Sequence, residues 1–526
     1  MDNKLEDNSK TETNSENKYT TSTTKRIAKN TLMLYFRQIL IMLVSLYTVR
    51  VVLNVLGAED YGIYNVVAGV VTMFSFLSGA MATASQRYFS FDLGKGDNEH
   101  LKTTFSVTFQ IYVLLAAVVI LLAETVGLWF VNNKLVIPAE RMVAANWIFQ
   151  AAIVSFLLTL ITTPYMASII AHENMNVYAY VSIVEAGLKL AIVFLLKVLP
   201  YDKLIVYGLL LATVALINTS IYRLYCHKHY EECKFRFVKD GKLFKEIVSY
   251  SGWNLFGASV GVVKNQIINI LLNMFFGAVV NAARAIAAQV NNAVTSFSQN
   301  FSTALRPQII KTYAAEQNEE CQKLVYRGCK FTFYLMYIFA LPLILEMDII
   351  LKFWLKNPPE LAVIFTRLAL LDAVIDSISY PLMTMAQATG KIKLYQGVVG
   401  GILLCNLPVS YIALKLGAPA YVVMIVAICI TFIAFVVRLF IIRKLSGLSI
   451  KKFMTNTAIP CVLVTVISAV IPSFICFKMQ ESWIRFFVVG FVSELCILLS
   501  VLYLGMSKIE RIAVIEKVKS KLLRKA

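Results

Sequence analysis

The sequence predicts an all-α polytopic membrane protein with about fourteen transmembrane helices. Three observations predict it. Hydrophobic residues make up 58% of the 526-residue chain and charged residues only 15%. Apolar stretches of about 20 residues, enough for one helical crossing of the hydrocarbon core, recur along nearly the whole length. Lys and Arg concentrate in alternate loops, as membrane orientation requires. A spanning backbone must satisfy its hydrogen bonds internally, and these stretches are too long and too uniformly apolar for barrel strands of about ten residues.

Residues 1–28 are rich in Asn, Thr, Ser, Lys and Glu and lack both the apolar core and the cleavage site of a signal peptide, so they read as a disordered cytoplasmic tail. A first lobe, 29–226, holds helices at 29–54, 62–90, 103–130, 142–169, 176–197 and 203–226. A basic cytoplasmic linker covers 227–246. A second lobe, 247–443, holds helices at 247–274, 278–305, 324–346, 361–388, 393–415 and 419–442. Two more follow at 455–477 and 483–505, and a basic amphipathic tail, 506–526, lies on the cytoplasmic surface. With the N-terminus inside, about 34 Lys and Arg fall in cytoplasmic segments against about 9 outside. Only an even number of helices keeps both the Arg223–Lys245 loop and the C-terminal tail inside, so both termini are expected in the cytoplasm.

The lobes repeat. PYMASIIAHENMNVYAYV after Thr163 aligns without gaps on PLMTMAQATGKIKLYQGV after Tyr380, pairing Pro164 with Pro381, Met166 with Met383, Ala171 with Ala388, Tyr178 with Tyr395 and Val181 with Val398. Asn54 to Gly57 precedes the second helix as Asn273 to Gly277 precedes the eighth; Arg87 follows Gly57 by 30 residues and Arg306 follows Gly277 by 29. Each Arg is expected to close its helix. Two six-helix lobes of like orientation, related by a pseudo-twofold axis along the membrane normal, follow from this order.

Several functions are excluded. The net charge of +19 is explained by orientation and needs no nucleic acid. There is no G-x-x-x-x-G-K-[ST] phosphate loop and no H-E-x-x-H, and no outer loop exceeds about 20 residues, too short for a folded catalytic domain. The chain is therefore read as a non-enzyme without cofactor. Cys226, His227, His229 and Cys233 in CHKHYEEC have metal-binding chemistry, but their crowding matches no common zinc module, and no metal is expected.

An ionised side chain at membrane depth costs a few kcal/mol, so it faces a cavity or a partner. Arg37 and Arg50 lie on the first helix, Glu185 and Lys189 on the fifth, Lys264 on the seventh, Arg284 on the eighth, and Arg367, Asp372 and Asp376 on the tenth. Arg50 and Arg367 stand near helix ends, where snorkelling suffices. Glu185 and Lys189, four apart, can pair on one face. Asp372 and Asp376 share a face and need a cation; a salt bridge to Arg284 or Lys264 would satisfy them. Arg37 and Lys264 stand deeper on the first helices of the two lobes. Asn265, Gln266 and Asn269 follow Lys264, and Asn281, Gln289, Asn291 and Asn292 accompany Arg284, a series suited to a wet lumen.

The stretch VLGAEDYGIYNVVAGVVTMFSFLSGAMATASQRYFSFDLGKGD, Val55 to Asp97, resembles the first and second helices of Wzx-type polysaccharide flippases, in the superfamily that also holds MurJ-type lipid II flippases and MATE drug exporters. The resemblance implies a V-shaped cavity between two lobes that opens alternately inward and outward. It implies as substrate an undecaprenyl-pyrophosphate-linked oligosaccharide of O-antigen or capsule synthesis, and as surroundings the bacterial inner membrane and the polysaccharide polymerase machinery. Family members use cationic residues on the first helix and in the second lobe; Arg37, Lys264 and Arg284 fit, with Arg50 a further candidate. Asp372, Asp376 and Glu185 are then coupling or structural carboxylates. Many Wzx-type members have twelve helices; the extra pair is a feature of lipid II flippases, where it helps form a groove for the lipid tail, so the branch stays open. A MATE-like exporter of cationic drugs is the alternative, and needs carboxylates to dominate its cavity.

Overall fold

The computed structural model describes residues 2–72, 74–133, 135, 137–276, 278–355, 358–507 and 510–512. Side chains are described from Arg26 onward, with exceptions that include position 50 and positions 263–267. The predictions for Arg50 and Lys264 therefore lie outside the described residues.

Every described element is helical: α1 Asp2–Thr72 and α2 Ser75–Lys95; α3 Asn98–Asn133, α4 Ala139–Ala171, α5 Met175–Val198 and α6 Lys203–His229; α7 Gly241–Phe276 and α8 Ala278–Ala314; α9 Asn318–Leu345; α10 Met347–Leu355, α11 Ala362–Ser377 and α12 Ser379–Ala388; and α13 Ile392–Lys415, α14 Val422–Ser446, α15 Ile450–Lys478 and α16 Trp483–Gly505. Ten helices among the described residues are long and apolar enough to cross a membrane, and the chain is a multi-pass membrane protein. The other four segments expected to cross, at 62–90, 247–274, 278–305 and 361–388, are helical too, but interrupted or rich in polar residues.

Local sequence explains the breaks. Gly57 takes φ 82 and ψ 167 inside α1, which a side chain would resist, and this kink separates the first two predicted helices. At Ser377 the expected tenth helix divides into α11 and α12, because Pro381 has no N–H to donate back to the Ser377 carbonyl. Backbone 2–28, expected to be disordered from its composition, is helical within α1; propagating an existing helix costs far less than nucleating one. Likewise Arg87 and Arg306 do not end their helices, which run on the same distance to Lys95 and Ala314 because only then does the chain meet residues with positive φ, Gly96 and Glu316.

The internal repeat has a structural counterpart. The matched Ala171 and Ala388 are the last residues of α4 and α12, and the next helices begin at Met175 and Ile392, the same number of residues on. Between them Glu173 and Gly390 occupy equivalent positions, both with positive φ.

The chain forms two compact units, Met1–Leu255 and Phe256–Ala526. In the first unit, α4 and α6 approach closely at Gly208, where a Cβ would stand 2.6 Å from Ile148 Cδ1. Buried apolar clusters hold this unit together, among them one of Val52, Leu56, Val193, Leu196 and Tyr207 and another of Phe89, Phe105, Tyr165, Tyr222 and Cys226. Arg141, at the start of α4, clamps Asp60 bidentately at 2.6 and 2.8 Å and reaches Asp202 at 2.5 Å, tying α1, α4 and α6 together. Residues 227–246, expected to form a linker, fold onto this unit: Gln110 donates to the Val238 carbonyl and Tyr88 to Glu246.

The second unit packs α8, α9, α11 and α14 around Phe365, Met336, Leu272 and Val423. The last two helices belong to it. Tyr337 donates to the Thr465 carbonyl at 3.1 Å, and the buried Arg485 of α16 pairs with buried Glu346 at 2.9 Å.

Candidate functional site

Within the first unit, α1, α4, α5 and α6, with Ser78 of α2, enclose a cavity of about 620 Å³. Its wall includes Val52 and Tyr207 from one apolar cluster and Tyr222 from another. The lining is aromatic and hydroxylic: five tyrosines contribute, with Ser, Thr, Gln and Asn from all the enclosing helices. Helical spacing explains how a membrane chain supplies them. Thr159, Thr162, Thr163 and Met166 recur on one face of α4, as do Tyr178, Ser182, Glu185 and Lys189 on α5. Most hydroxyls also bond a carbonyl one turn back, which reduces the cost of keeping them in an apolar helix: Ser182 donates to the Tyr178 carbonyl and Thr162 to the Leu158 carbonyl.

Three charged side chains line this cavity. Arg37 sits over the Tyr178 ring, its guanidinium carbon 4.6 Å from the centroid, and donates one hydrogen bond to Ser182 Oγ at 3.3 Å. No carboxylate pairs with Arg37 among the described residues, and its buried Nε has no hydrogen-bond partner among them. Glu185 accepts from Lys189 at 2.6 Å and from Asn218 at 3.1 Å, so the two opposite charges offset each other as the i, i+4 spacing predicts. The cavity wall therefore keeps one net positive charge, at Arg37.

The second unit uses its charges differently. Arg284 of α8 is buried and donates to Asn269 Oδ1 at 2.7 Å and toward Met424 Sδ at 3.3 Å; it is not in the wall of the first-unit cavity. Asp372 and Asp376, both expected beside Arg284 or Lys264, part company: the charge of Asp372 acts on Arg284, whereas Asp376 faces Arg438 of α14 at 3.6 Å. Arg438 was not singled out from sequence because it precedes a basic loop. The helix runs on to Ser446, which leaves Arg438 buried two turns inside, over Tyr395 at 5.8 Å. Tyr178 and Tyr395, paired by the repeat, thus each carry an arginine on the ring. Arg367 is bound by Asp348 at 2.6 Å and by the Ile344 carbonyl at 2.8 Å, a structural tie rather than a snorkelling end.

Outside the spans, two carboxylates are tuned. Burial acts to raise Asp202, but bonds from Arg141 and the Ile205 and Leu204 amides outweigh it and hold the group below the usual range. Glu232 behaves alike: desolvation is outweighed by His172 at 2.7 Å and Ser168 at 3.0 Å. This explains CHKHYEEC, whose residues serve packing. Cys226 and Cys233 are buried, the former against the Tyr165 carbonyl, and His229 turns back to Tyr225. Among the described residues no group of three His, Cys, Asp or Glu is placed to hold a metal.

Comparison with known proteins places this architecture. No curated protein matches the chain. Its fold is similar to a multidrug resistance MATE family transporter of the MOP superfamily in an outward-facing conformation, with a TM-score of 0.70 at 13% identity over 81% of this chain and 97% of that one. A MOP superfamily transporter from Pyrococcus furiosus, described as having a binding pocket of reversed polarity, gives 0.66 at 13% identity over 81% and 96%. The Vibrio cholerae MATE transporter VcmN, in its bent form, gives 0.63 at 15% identity over 81% and 98%. The MatE sequence model matches residues 259–412. The model of the polysaccharide biosynthesis protein family matches residues 27–313, more than half of the chain and all of the cavity wall. The chain therefore belongs to the polysaccharide biosynthesis protein family and carries the fold of the MOP superfamily transporters.

Proposed function

We propose that this protein is a flippase that carries an undecaprenyl-pyrophosphate-linked oligosaccharide from the cytoplasmic to the outer leaflet of the bacterial inner membrane by alternating access, for O-antigen or capsule assembly. The observation that carries the reading is Arg37: a cation with no carboxylate partner among the described residues, on the wall of a hydroxyl- and tyrosine-lined cavity, in a chain of a polysaccharide biosynthesis family. A diphosphate is strongly hydrated and cannot enter hydrocarbon unaided. A guanidinium in low dielectric attracts it and can bind it bidentately. The prenyl tail can stay in lipid meanwhile. An inside-negative potential favours outward movement by about 2.3 kcal/mol per charge per 100 mV.

In this reading all fourteen predicted helices cross, both termini are cytoplasmic, and the polar residues of the four less apolar helices face a wet lumen. Lys264 and Arg284 of the second unit would add to the cationic path. For the Pyrococcus furiosus transporter, reversed polarity of the binding pocket suggests a different function. The same link between pocket charge and cargo supports an anionic cargo here, where the cavity charge is positive. A cation exporter is less well supported, since Glu185, the one carboxylate among the described residues of the cavity wall, is already neutralised by Lys189.

The test is translocation in proteoliposomes containing an undecaprenyl-pyrophosphate-linked oligosaccharide, with and without an imposed potential, for wild type and for Arg37→Ala and Lys264→Ala. Translocation that falls in both variants supports the reading. Exchange of an organic cation for protons or sodium, with no movement of the lipid, overturns it.

A further inference from the structure

The segment between α6 and α7 is not a free loop. After the turn Glu231–Cys233 the chain runs through Lys234, Phe235, Arg236, Phe237, Val238 and Lys239 without helix or strand. Three contacts hold it against α3. The Arg236 amide donates to Ser106 Oγ at 3.2 Å, Gln110 Nε2 donates to the Val238 carbonyl at 3.1 Å, and the Phe235 ring meets Phe109 with centroids 5.3 Å apart. Ser106, Phe109 and Gln110 fall in the first turns of the predicted crossing 103–130. At about 1.5 Å per residue, the strip therefore lies about 5–10 Å along that crossing from its end. This is the level of the boundary between headgroups and acyl chains.

Membrane orientation accounts for lysines in a loop. It does not account for a loop tied down at that depth, nor for phenylalanines turned outward from it. Phe237 is 72% exposed and Phe235 45%. Lys234, Arg236 and Lys239 alternate with them and are exposed too. The carboxylates nearby are engaged elsewhere: Glu99 and Glu231 both hold Lys102, at 2.8 and 3.2 Å, Glu232 holds His172 at 2.7 Å, and Asp240 accepts from the Leu243 amide at 2.9 Å. Arg236 has Glu99 within electrostatic reach, while Arg223 and Lys234 both act on His227, so cations gather on this face. A soluble polyanion would answer the cations and leave the rings in water. A neutral apolar partner would do the reverse. A phospholipid with an anionic headgroup answers both, because its phosphate and its acyl chains stand at adjoining depths.

We propose that residues 234–239 form a binding site for anionic phospholipid of the phosphatidylglycerol type, in which Phe235 and Phe237 enter the acyl boundary while Lys234, Arg236 and Lys239 hold headgroup phosphates. The strip leads directly into α7, so the bound lipid anchors the start of α7 to α3. The proposal rests on the flippase reading only for the leaflet, the cytoplasmic one, and its test needs no transport.

Hydrogen–deuterium exchange is followed on the full-length protein in nanodiscs and read on the peptide covering 234–240. Phosphatidylcholine discs are compared with discs of rising phosphatidylglycerol fraction, and with phosphatidylcholine discs to which glycerol 3-phosphate is added. The expected result is exchange that slows as the phosphatidylglycerol fraction rises, less so at high salt, and that ignores glycerol 3-phosphate. Lys234→Gln and Arg236→Gln, two variants so that one misfolded protein does not decide the matter, should each raise the half-saturating phosphatidylglycerol fraction about fivefold at unchanged melting temperature. Phe237→Ser should weaken the protection, and Phe237→Leu should keep it. Equal protection in both lipids, protection in neither, protection by glycerol 3-phosphate, or curves unaltered in both charge variants overturns the site. Protection by phosphatidylglycerol without translocation of the lipid-linked oligosaccharide sinks the flippase reading alone; translocation without that protection sinks the site alone.

Discussion

Replacing Arg37 by Met should abolish function while leaving the fold more stable, and the structure fixes the sign of both effects. Arg37 makes one long hydrogen bond, to Ser182 at 3.3 Å, and one cation–π contact, with Tyr178 at 4.6 Å. Losing them costs about 1 kcal/mol for the hydrogen bond and about 0.5–1 kcal/mol for the ring contact. Against that, holding a guanidinium at membrane depth costs about 2.5–3.5 kcal/mol, and no carboxylate among the described residues offsets it. Methionine keeps most of the packing volume and removes the charge, so the net change should be a stabilisation of roughly 1 kcal/mol. For the proposed anionic cargo the balance is reversed. Removing one member of a desolvated charge pair costs about 2–4 kcal/mol in affinity, or roughly 30- to 1000-fold. The assays are melting in detergent and pyrophosphate binding on one preparation, with Arg37→Lys as the intermediate that keeps charge but loses the fork. A melting temperature that drops by several degrees while pyrophosphate affinity stays within threefold would refute the reasoning and make Arg37 a structural residue.

Other residues give predictions of the opposite kind. Arg485 and Glu346 are both buried and paired at 2.9 Å, so Arg485→Met or Glu346→Leu alone should cost about 3–5 kcal/mol, whereas the two changes together should cost far less; additive losses in a thermal double-mutant cycle would count against the pairing. Glu232 is depressed by His172 and Ser168, so its stabilisation is fully present above its ordinary value of 4.5 and is lost as pH falls through that region. Melting followed from pH 5 to pH 3 should therefore fall more steeply in wild type than in Glu232→Gln, and parallel curves would reject the assignment. Gly208→Val places a branched side chain where a Cβ already meets Ile148 Cδ1 at 2.6 Å, and should destabilise the α4–α6 contact by about 1–3 kcal/mol, read as a lower melting temperature.

The membrane class and nearly every helix were legible because hydropathy is a sum over about 20 residues and tolerates local exceptions. The repeat was legible for a related reason: the matched alanines mark helix ends, and the positive-φ residue two positions on is set by local turn geometry at both Glu173 and Gly390. Arg37 stood out because an arginine well inside an apolar helix has few structural uses. What stayed hidden depends on tertiary placement. Tyr61, Tyr64, Tyr178, Tyr207 and Tyr222 are spread over three helices, and no spacing along the chain brings them to one wall. The cation that Asp376 faces was missed for the same reason. Helix position placed the aspartate correctly, but the choice among nearby cations depends on packing, and α14 supplied Arg438. The deep pair of Glu346 and Arg485 was missed since both stand at helix ends, where exposure is the ordinary expectation.

The two units put membrane charge to different ends, and the difference separates fold from function. In the second unit Arg367, Arg438 and Arg485 each have a carboxylate within 4.0 Å, and Arg284 donates to Asn269. Such groups are close to neutral as pairs, so they can persist in an apolar interior for their geometry alone. Removing one member exposes the other to the full desolvation penalty, and the change should register as lost stability. In the first unit the pair in the cavity wall, Glu185 and Lys189, is internal to one helix and leaves Arg37 without a counter-charge among the described residues. A lone cation in that position opposes folding, and no described carboxylate compensates for it. In the proposed reading an anionic cargo supplies the missing negative charge for part of the working cycle. Scanning all these cations should therefore split them by the sign of the stability change, with Arg37 the one whose loss helps the fold and harms the transport.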